Sequence, residues 1–213
     1  YEIMPSLVGS EMCIRDSVSD EVAADDNGIS ASANPANNAA LTIGGALHVG
    51  NTVTNAGGRI VEITSAGDDS GIDATVTGTD VNGDALEETI DLADSGAAVT
   101  SGFFETITKI QMIGNSAGNI IAGTQTSAAD VIEKGACRLK QCNIVSGGTA
   151  GVINFHNGIT AGVPGTILFK ARTIGTDNTN EMINLGDDGV LFDKGCYVTY
   201  TIGHIDMMNF FFN

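Results

Sequence analysis

The chain has 213 residues, enough for one large domain or two small ones. Its 9 Lys and Arg stand against 26 Asp and Glu, and this net charge of −17 excludes a protein that binds nucleic acid through a broad basic surface. The 42% hydrophobic content favours a folded core, and the chain lacks the run of roughly 18 apolar residues that would indicate a membrane-spanning helix.

The β-branched residues predict the fold class. There are 22 Ile, 15 Val and 21 Thr but only 9 Leu, and these stiff side chains favour a pleated surface over a helix. The 28 Gly supply many turns. We predict an all-β protein of two small antiparallel β-sandwich or jelly-roll-like domains with an extended N-terminal arm.

Residues 1–40 are predicted to form the arm. Residues 4–16 show neither a helical nor a strand period, and they resemble the conceptual translation of a sequencing adapter. That resemblance implies that residues 1–17 are artefactual. Residues 18–40 are polar, acidic and rich in turn formers, as is typical of an extended arm or linker.

Residues 41–125 are predicted to form an acidic β-sandwich domain. Apolar and polar residues alternate over 72–79 and over 86–92, and Asn82-Gly83 between them indicates a hairpin turn. Further strands are predicted at 59–65 and 103–113. In the second of these, apolar residues occur at both parities, which predicts a bulge or two buried faces.

Residues 126–213 are predicted to form a second β-sandwich domain, with the seam in the polar run 125–130. Residues 1–135 hold 20 acidic and 4 basic side chains and residues 136–213 hold 6 and 5, an asymmetry that favours two units. Turns are predicted at Gly147-Gly148, Asn157-Gly158, Pro164-Gly165 and Asp188-Gly189. The predicted strands are 137–145, 150–156, 166–172, 181–185, 189–192, 196–202 and 205–212.

The last predicted strand, 205–212, is apolar on both faces. We expect one face to fill the core and the other to be covered either by a neighbouring subunit or within the same domain. Arg138 and Lys140 lie on one face of the predicted strand 137–145, in the half of the chain whose net charge is close to zero. The candidate contact residues are Arg138, Lys140, Met207, Met208, Phe210, Phe211 and Phe212.

The four cysteines show no CxxC spacing and are interpreted as buried free thiols. Because Cys137 and Cys142 are five residues apart, they are expected on opposite faces of one strand. The histidines show no metal-ligand spacing and are expected to have structural roles. The residues concerned are Cys13, Cys137, Cys142, Cys196, His48, His156 and His204.

The acidic hairpin contains one weak calcium candidate. Asp80, Asn82 and Asp84 superficially resemble a calcium loop, but the glycine and the final glutamate of an EF-hand are missing. We interpret the segment as a solvated acidic face, with a weak Ca²⁺ or Mg²⁺ site as the alternative. No cofactor is expected.

The chain shows no signature of an enzyme. It contains no GxSxG nucleophile elbow, no cysteine within an active-site signature and no phosphate-binding glycine loop. With no Trp, it is also poorly supplied for a sugar-stacking groove. We expect a structural or binding protein.

Two stretches carry a resemblance to a family. Residues 41–124, with "SAGDDSG", "TVTGTD", an "NG" turn, "EETI" and then "FFETITKI", are similar to a module in virion structural proteins of tailed bacteriophages. The ending "GVLFDKGCYVTY" and its terminal aromatic strand resemble a second small phage module of marine podovirus-like phages.

The resemblance implies a virion structural protein, assembled in the host cytoplasm. The first hypothesis is a capsid decoration (cement) protein, a homo-oligomer and specifically a trimer, that binds the major capsid protein and stabilises the head. The alternatives are a tail, tail-fibre or head-fibre component that contacts the host surface, and a calcium-dependent bacterial surface adhesin. None of these hypotheses involves nucleic acid or a membrane as partner.

Overall fold

The computed structural model describes residues 13–17, 23–176 and 178–213, with only the backbone for residues 13–17 and Ala56. In the described residues the chain forms β-strands and no helix. No element there could therefore cross a membrane as a helix. The strands are β1 (Cys13–Ser17), β2 (Asp25–Ala33), β3 (His48–Val49), β4 (Thr52–Ser65), β5 (Asp73–Thr79), β6 (Ala85–Asp91), β7 (Ala97–Ile113), β8 (Ile120–Glu133), β9 (Cys137–Ser146), β10 (Gly151–Thr160), β11 (Val163–Thr173), β12 (Asn180–Asn184), β13 (Val190–Phe192), β14 (Cys196–Thr201) and β15 (Ile205–Phe212).

The strands form two antiparallel sheets. The large sheet has the order β11-β10-β14-β8-β4-β7-β5-β6, with β2 also on β8 and β3 also on β4. The small sheet has the order β1-β15-β9-β12, with β13 also on β9. The predicted all-β, sandwich-like fold is confirmed.

Two apolar cores lie along the large sheet, and β8 contributes to both. Ile120 and Ala122 lie in the first core, which is built mainly from β4 to β7. Ala128 and Ile132 lie in the second core, between the small sheet and the β8, β10 and β14 end of the large one. The predicted seam at 125–130 falls inside β8, which runs through it as one continuous strand.

The hairpin predicted from alternation is present as β5 and β6. Ala74 and Val76 are buried on β5, and Leu86 and Ile90 are buried on β6. The two strands pair in continuous register from Asp73 to Thr79. The alternation of apolar and polar residues was sufficient to predict this hairpin, because one face packs on the first core and the other faces solvent.

Both predictions for the strand at 103–113 hold in β7. Phe104 is fully buried in the first core, whereas Phe103 is buried on the other face with Ile60 and Ala129. The register between β5 and β7 also shifts at Thr77/Gly78. A long strand covered on both faces has apolar residues at both parities.

Every strand predicted for residues 137–212 is present, but two predicted turns are wrong. Asn157-Gly158 lies inside β10 and Pro164-Gly165 lies inside β11. The actual turn is Ala161-Gly162, whose φ angles of 48° and 70° are both positive, as a two-residue hairpin turn requires. Pro164 is tolerated because β11 is an edge strand.

The structure places part of the predicted arm within the fold. β2 pairs with β8, and Ile29 on β2 is fully buried in the first core. The close approach depends on Gly123 of β8, since a Cβ there would collide with the backbone of Asp25 and Asp26. The polar composition of residues 18–40 gave no indication that Ile29 is buried or that the backbone of β2 lies against Gly123. Residues 1–12 and 18–22 lie outside the described residues.

The expected separation of Cys137 and Cys142 is wrong. The register between β9 and β15 shifts so that Phe211 pairs with Gln141 and Phe212 with Leu139, which leaves Lys140 out of the pairing. This irregularity returns Cys142 to the face of Cys137, and both lie in the second core. The prediction of buried free thiols is confirmed for Cys137, Cys142 and Cys196.

Candidate assembly surface

The outer face of the small sheet is the strongest candidate for a functional surface. Residues paired directly across antiparallel strands share a face, so the register of β12, β9 and β15 defines three rows. The rows are Asn184–Gln141–Phe211, Met182–Asn143–Asn209 and Asn180–Val145–Met207. Leu191 of β13, which pairs with Arg138, extends the same face. We call these residues, with Lys140, the outer sheet face.

The outer sheet face is apolar and amide-rich. Met182 is 68% exposed, Leu191 48% and Met207 38%, while Val145 and Phe211 are half-buried. Within β9, β12 and β15 the three rows contain no carboxylate, in a chain of net charge −17, although Asp16 of β1 is the register partner of Asn209 at the edge of the sheet. Glu181 of β12 pairs with Ile144 on the opposite parity and accepts a hydrogen bond from the Ile174 amide. A partner could therefore approach this face with little charge repulsion.

Two amide oxygens at the centre of the face have no hydrogen-bond partner among the described residues. Asn143 and Asn209 pair with each other across β9 and β15, and the Oδ1 atoms of both are buried. A buried acceptor without a donor costs about 1–3 kcal/mol. A partner that brings N–H or O–H donors to this row would remove that cost only if the two side chains rotated outward.

Arg138 and Lys140 mark one end of the outer sheet face. Nη1 of Arg138 donates to the carbonyl oxygen of Asp188 at 2.9 Å, and Nζ of Lys140 donates to the carbonyl oxygen of Asp187. Both cations therefore hold the loop between β12 and β13 in place. Arg138 is also exposed, so it can contact a partner as well.

Three predicted contact residues lie elsewhere. Met208, Phe210 and Phe212 alternate with the outer residues of β15 and are buried in the second core, with exposures of 0%, 0% and 7%. They stabilise the fold and are not available to a partner. Sequence alone could not assign the two faces of a strand that is apolar on both.

Asp80, Asn82 and Asp84 form a tight turn in which oxygens of Asp80 and Asn82 accept hydrogen bonds from the protein. The Asp80 carboxylate is 2% exposed and accepts hydrogen bonds from the amides of Asn82 (2.8 Å) and Asp84 (3.1 Å). Asn82 accepts one hydrogen bond from the Tyr197 hydroxyl (2.8 Å) and another from Nζ of Lys134 (2.8 Å). The turn thereby fixes the β5–β6 hairpin to β14 and to the residue that follows β8.

The histidines have local structural contacts. His156 is buried between the carbonyl oxygen of Gly165 (2.8 Å) and the Thr199 hydroxyl (2.9 Å), and Nδ1 of His48 contacts the carbonyl oxygen of Gly45. The ring of His204 packs where a Cβ on Gly151 would lie. In the part of the chain that the structure describes, no group of three His, Cys, Asp or Glu side chains could hold a metal ion.

The "SAGDDSG" stretch proves to be a loop junction. Asp69 is fully buried and accepts hydrogen bonds from the Ser65 hydroxyl and, at 2.6 Å, from the Ala117 amide. Gly67 packs directly on Gly118, so neither position has room for a Cβ. The stretch therefore ties the β4–β5 loop to the β7–β8 loop.

Glu105 of β7 is the half-buried carboxyl group with a clear electrostatic perturbation. Burial raises its pKa above the ordinary 4.5, and the neighbouring Asp130 charge adds to the rise while Lys134 opposes it. A raised carboxyl pKa means that the folded state disfavours the charged form. Its contribution to stability is complete below pH 4.5 and is lost as the pH rises through the folded-state pKa.

We therefore expect Glu105→Gln to raise the melting temperature at neutral pH by roughly 1–3 °C, a small shift because solvent screens the group. At pH 4 the variant and the wild type should melt alike. Thermal melts at the two pH values, with the exposed Glu87→Gln as control, check this. An equal shift at both pH values would contradict the assignment to charge.

Sequence reasoning predicted Met207, Phe211, Arg138 and Lys140 but missed most of the face. Met182, Leu191, Asn143 and Asn209 come together only through the register of four strands. The exposed methionine within the short strand β12 was the one local signal. The chain matches no known protein family, no curated protein and no solved structure.

Proposed function

We propose that the chain is a phage virion structural protein, and specifically a capsid decoration protein that binds the major capsid protein and stabilises the head. The observation that carries the proposal is the outer sheet face: an apolar, amide-rich surface whose rows on β9, β12 and β15 contain no carboxylate, on a strongly acidic β protein. The resemblance of residues 41–124 and 189–212 to phage virion modules gives the class of particle.

A decoration protein needs a rigid scaffold with one face that binds the shell and an outer surface that repels other decorated particles. The β-sandwich supplies the scaffold, and the clustered carboxylates of the first half keep decorated particles apart. Many copies, each making a modest contact across capsomer boundaries, stabilise the assembled shell by mass action. The chain would assemble on the particle in the host cytoplasm, and a trimer would suit a three-fold position of the shell.

The copy number on purified virions tests the location. We expect one copy per major capsid subunit, or one per few, by quantitative peptide intensities. A few copies per hundred would overturn the decoration role in favour of a tail or fibre component. Absence from the virion would overturn the virion assignment itself.

The contact face is tested by adding purified chain back to particles that lack it. Met207→Glu places a carboxylate on the outer sheet face and should reduce occupancy at least tenfold. Val163→Glu on β11 is the matched control, because Val163 is 46% exposed on an edge strand of the other sheet. Equal loss, or no loss, in both variants would move the contact elsewhere.

A further inference from the structure

Two short crossovers between the sheets bring a pair of cysteines together. Glu133 pairs with Cys196 in the large sheet, and Cys137 pairs with Phe192 in the small sheet. The chain therefore passes from the large to the small sheet between residues 133 and 137, and returns between residues 192 and 196. Because the crossovers run side by side, Cys137 and Cys196 occupy diagonal corners of one junction.

Both side chains lie in the second core, where Cys137 is 4% exposed and Cys196 0%. Both thiols are free, and a hydrogen bond between them contributes to the pKa shift of each. Cys142 is a third buried free thiol in the same core, which provides an internal comparison.

The two thiols differ in acidity. The hydrogen bond from Cys196 lowers the pKa of Cys137, whereas burial raises the pKa of Cys196 far above its ordinary value. Burial also raises the pKa of Cys142, to about 12. Since the thiolate is the reacting form, the lowered pKa favours Cys137 over Cys142 and Cys196 as the attacking thiol.

We propose that Cys137 and Cys196 form a redox-responsive pair that closes to a disulfide under hydrogen peroxide and covalently joins the two sheets. The Cys137 thiolate attacks one peroxide oxygen and the O–O bond breaks. The departing hydroxide takes a proton to become water, and Cys137 is left as a sulfenic acid. The Cys196 sulfur then attacks the Cys137 sulfur, the S–O bond breaks and a second water leaves with the thiol proton. Two thiols are oxidised and one peroxide is reduced to two waters.

The burial of both thiols sets the rate. Peroxide reaches them only when the junction opens locally, so the pair closes slowly and stays reduced in a reducing cell interior. The disulfide would close a loop of about 60 residues, a length for which chain entropy predicts substantial stabilisation. The proposal concerns the chain itself and stands whatever particle or surface carries it.

The test uses the purified full-length chain, treated with excess hydrogen peroxide and then alkylated under denaturing conditions. We expect a cross-linked peptide pair containing Cys137 and Cys196, with a mass about 2 Da below the sum of the two thiol peptides, and an alkylated Cys142. The melting temperature should rise by roughly 5–10 °C and return with dithiothreitol. Cys142→Ala should keep the peroxide-dependent rise, and Cys137→Ala should lose it.

The mapping is made on the wild-type chain, so it is decisive even where a variant fails to fold. A disulfide from Cys137 or Cys196 to Cys13 or Cys142, disulfides only between chains, or sulfinic acid on Cys137 without a cross-link would each overturn the proposal. Unchanged free thiols after prolonged oxidation near the melting temperature would overturn it as well.

Discussion

Phe210→Ala is expected to lower the free energy of unfolding by roughly 3–5 kcal/mol. Phe210 is fully buried in the second core and makes an edge-on contact with Phe155, with ring centroids 6.0 Å apart and planes at 82°. Phe155 in turn packs against Phe169, so truncating Phe210 opens a cavity beside the central ring of an aromatic cluster. Urea denaturation followed by far-ultraviolet circular dichroism measures the loss.

Phe211→Ala is the matched control, since the two residues are neighbours on opposite faces of β15. Phe211 is half-buried on the outer sheet face, and its truncation should cost about 1 kcal/mol or less in the isolated chain. Under the proposed decoration role, Phe211→Ala should instead lower the occupancy of the particle, because it removes contact area while the fold remains. Equal destabilisation by both substitutions would mean that the outer sheet face is covered within the chain itself.

The sequence predicted the strands well because most of them satisfy a simple local rule. Alternation across one buried and one exposed face identified β5 and β6, and β-branched runs between glycine-rich turns identified the seven strands after residue 137. These signals depend only on neighbouring residues. They can therefore be recognised without knowing which strands pair.

The errors have two physical causes, which are irregular pairing between distant strands and positive φ angles at positions where the sequence carries no turn signal or where the strand does not end. The irregularity at Lys140 reverses the expected parity of Cys142, and positive φ at Ala161 places a turn where no turn dipeptide stands. At Gly158 a positive φ of 82° accompanies an amide that donates to the carbonyl oxygen of Gly195, so the residue bends a strand without ending it. No local pattern carries such information.

The candidate surface was harder to predict for the same reason. Met207 and Phe211 were visible as apolar residues, but their separation from Met208 and Phe210 required the position of the core. Nothing in the sequence singles out Asn143 and Asn209. They point to a candidate surface only once the structure shows that they pair and that their Oδ1 atoms have no partner among the described residues. A surface assembled from four strands is a property of the register, not of any one segment.

The register between strands depends on glycines at positions where two backbones approach closely. Substitution of Gly78, between β5 and β7, tests this most severely. A Cβ at Gly78 would collide with the backbone carbonyl of Thr106 on β7, at the point where the β5–β7 register shifts. Backbone atoms of a central strand cannot rotate away as a side chain can. Gly78→Ala should therefore lower the free energy of unfolding by roughly 3 kcal/mol or more.

Gly44→Ala separates this effect from the general consequence of adding a methyl group. The nearest atom to a Cβ at Gly44 is Cγ2 of Thr42 at 3.9 Å, an ordinary van der Waals distance. Alanine there should be neutral or stabilise the chain by up to about 1 kcal/mol, because it restricts the unfolded state. Urea midpoints of the two variants give the comparison. Similar midpoints would mean that β5 and β7 can separate at Gly78 without loss, and the first core would then owe its register to side-chain packing alone.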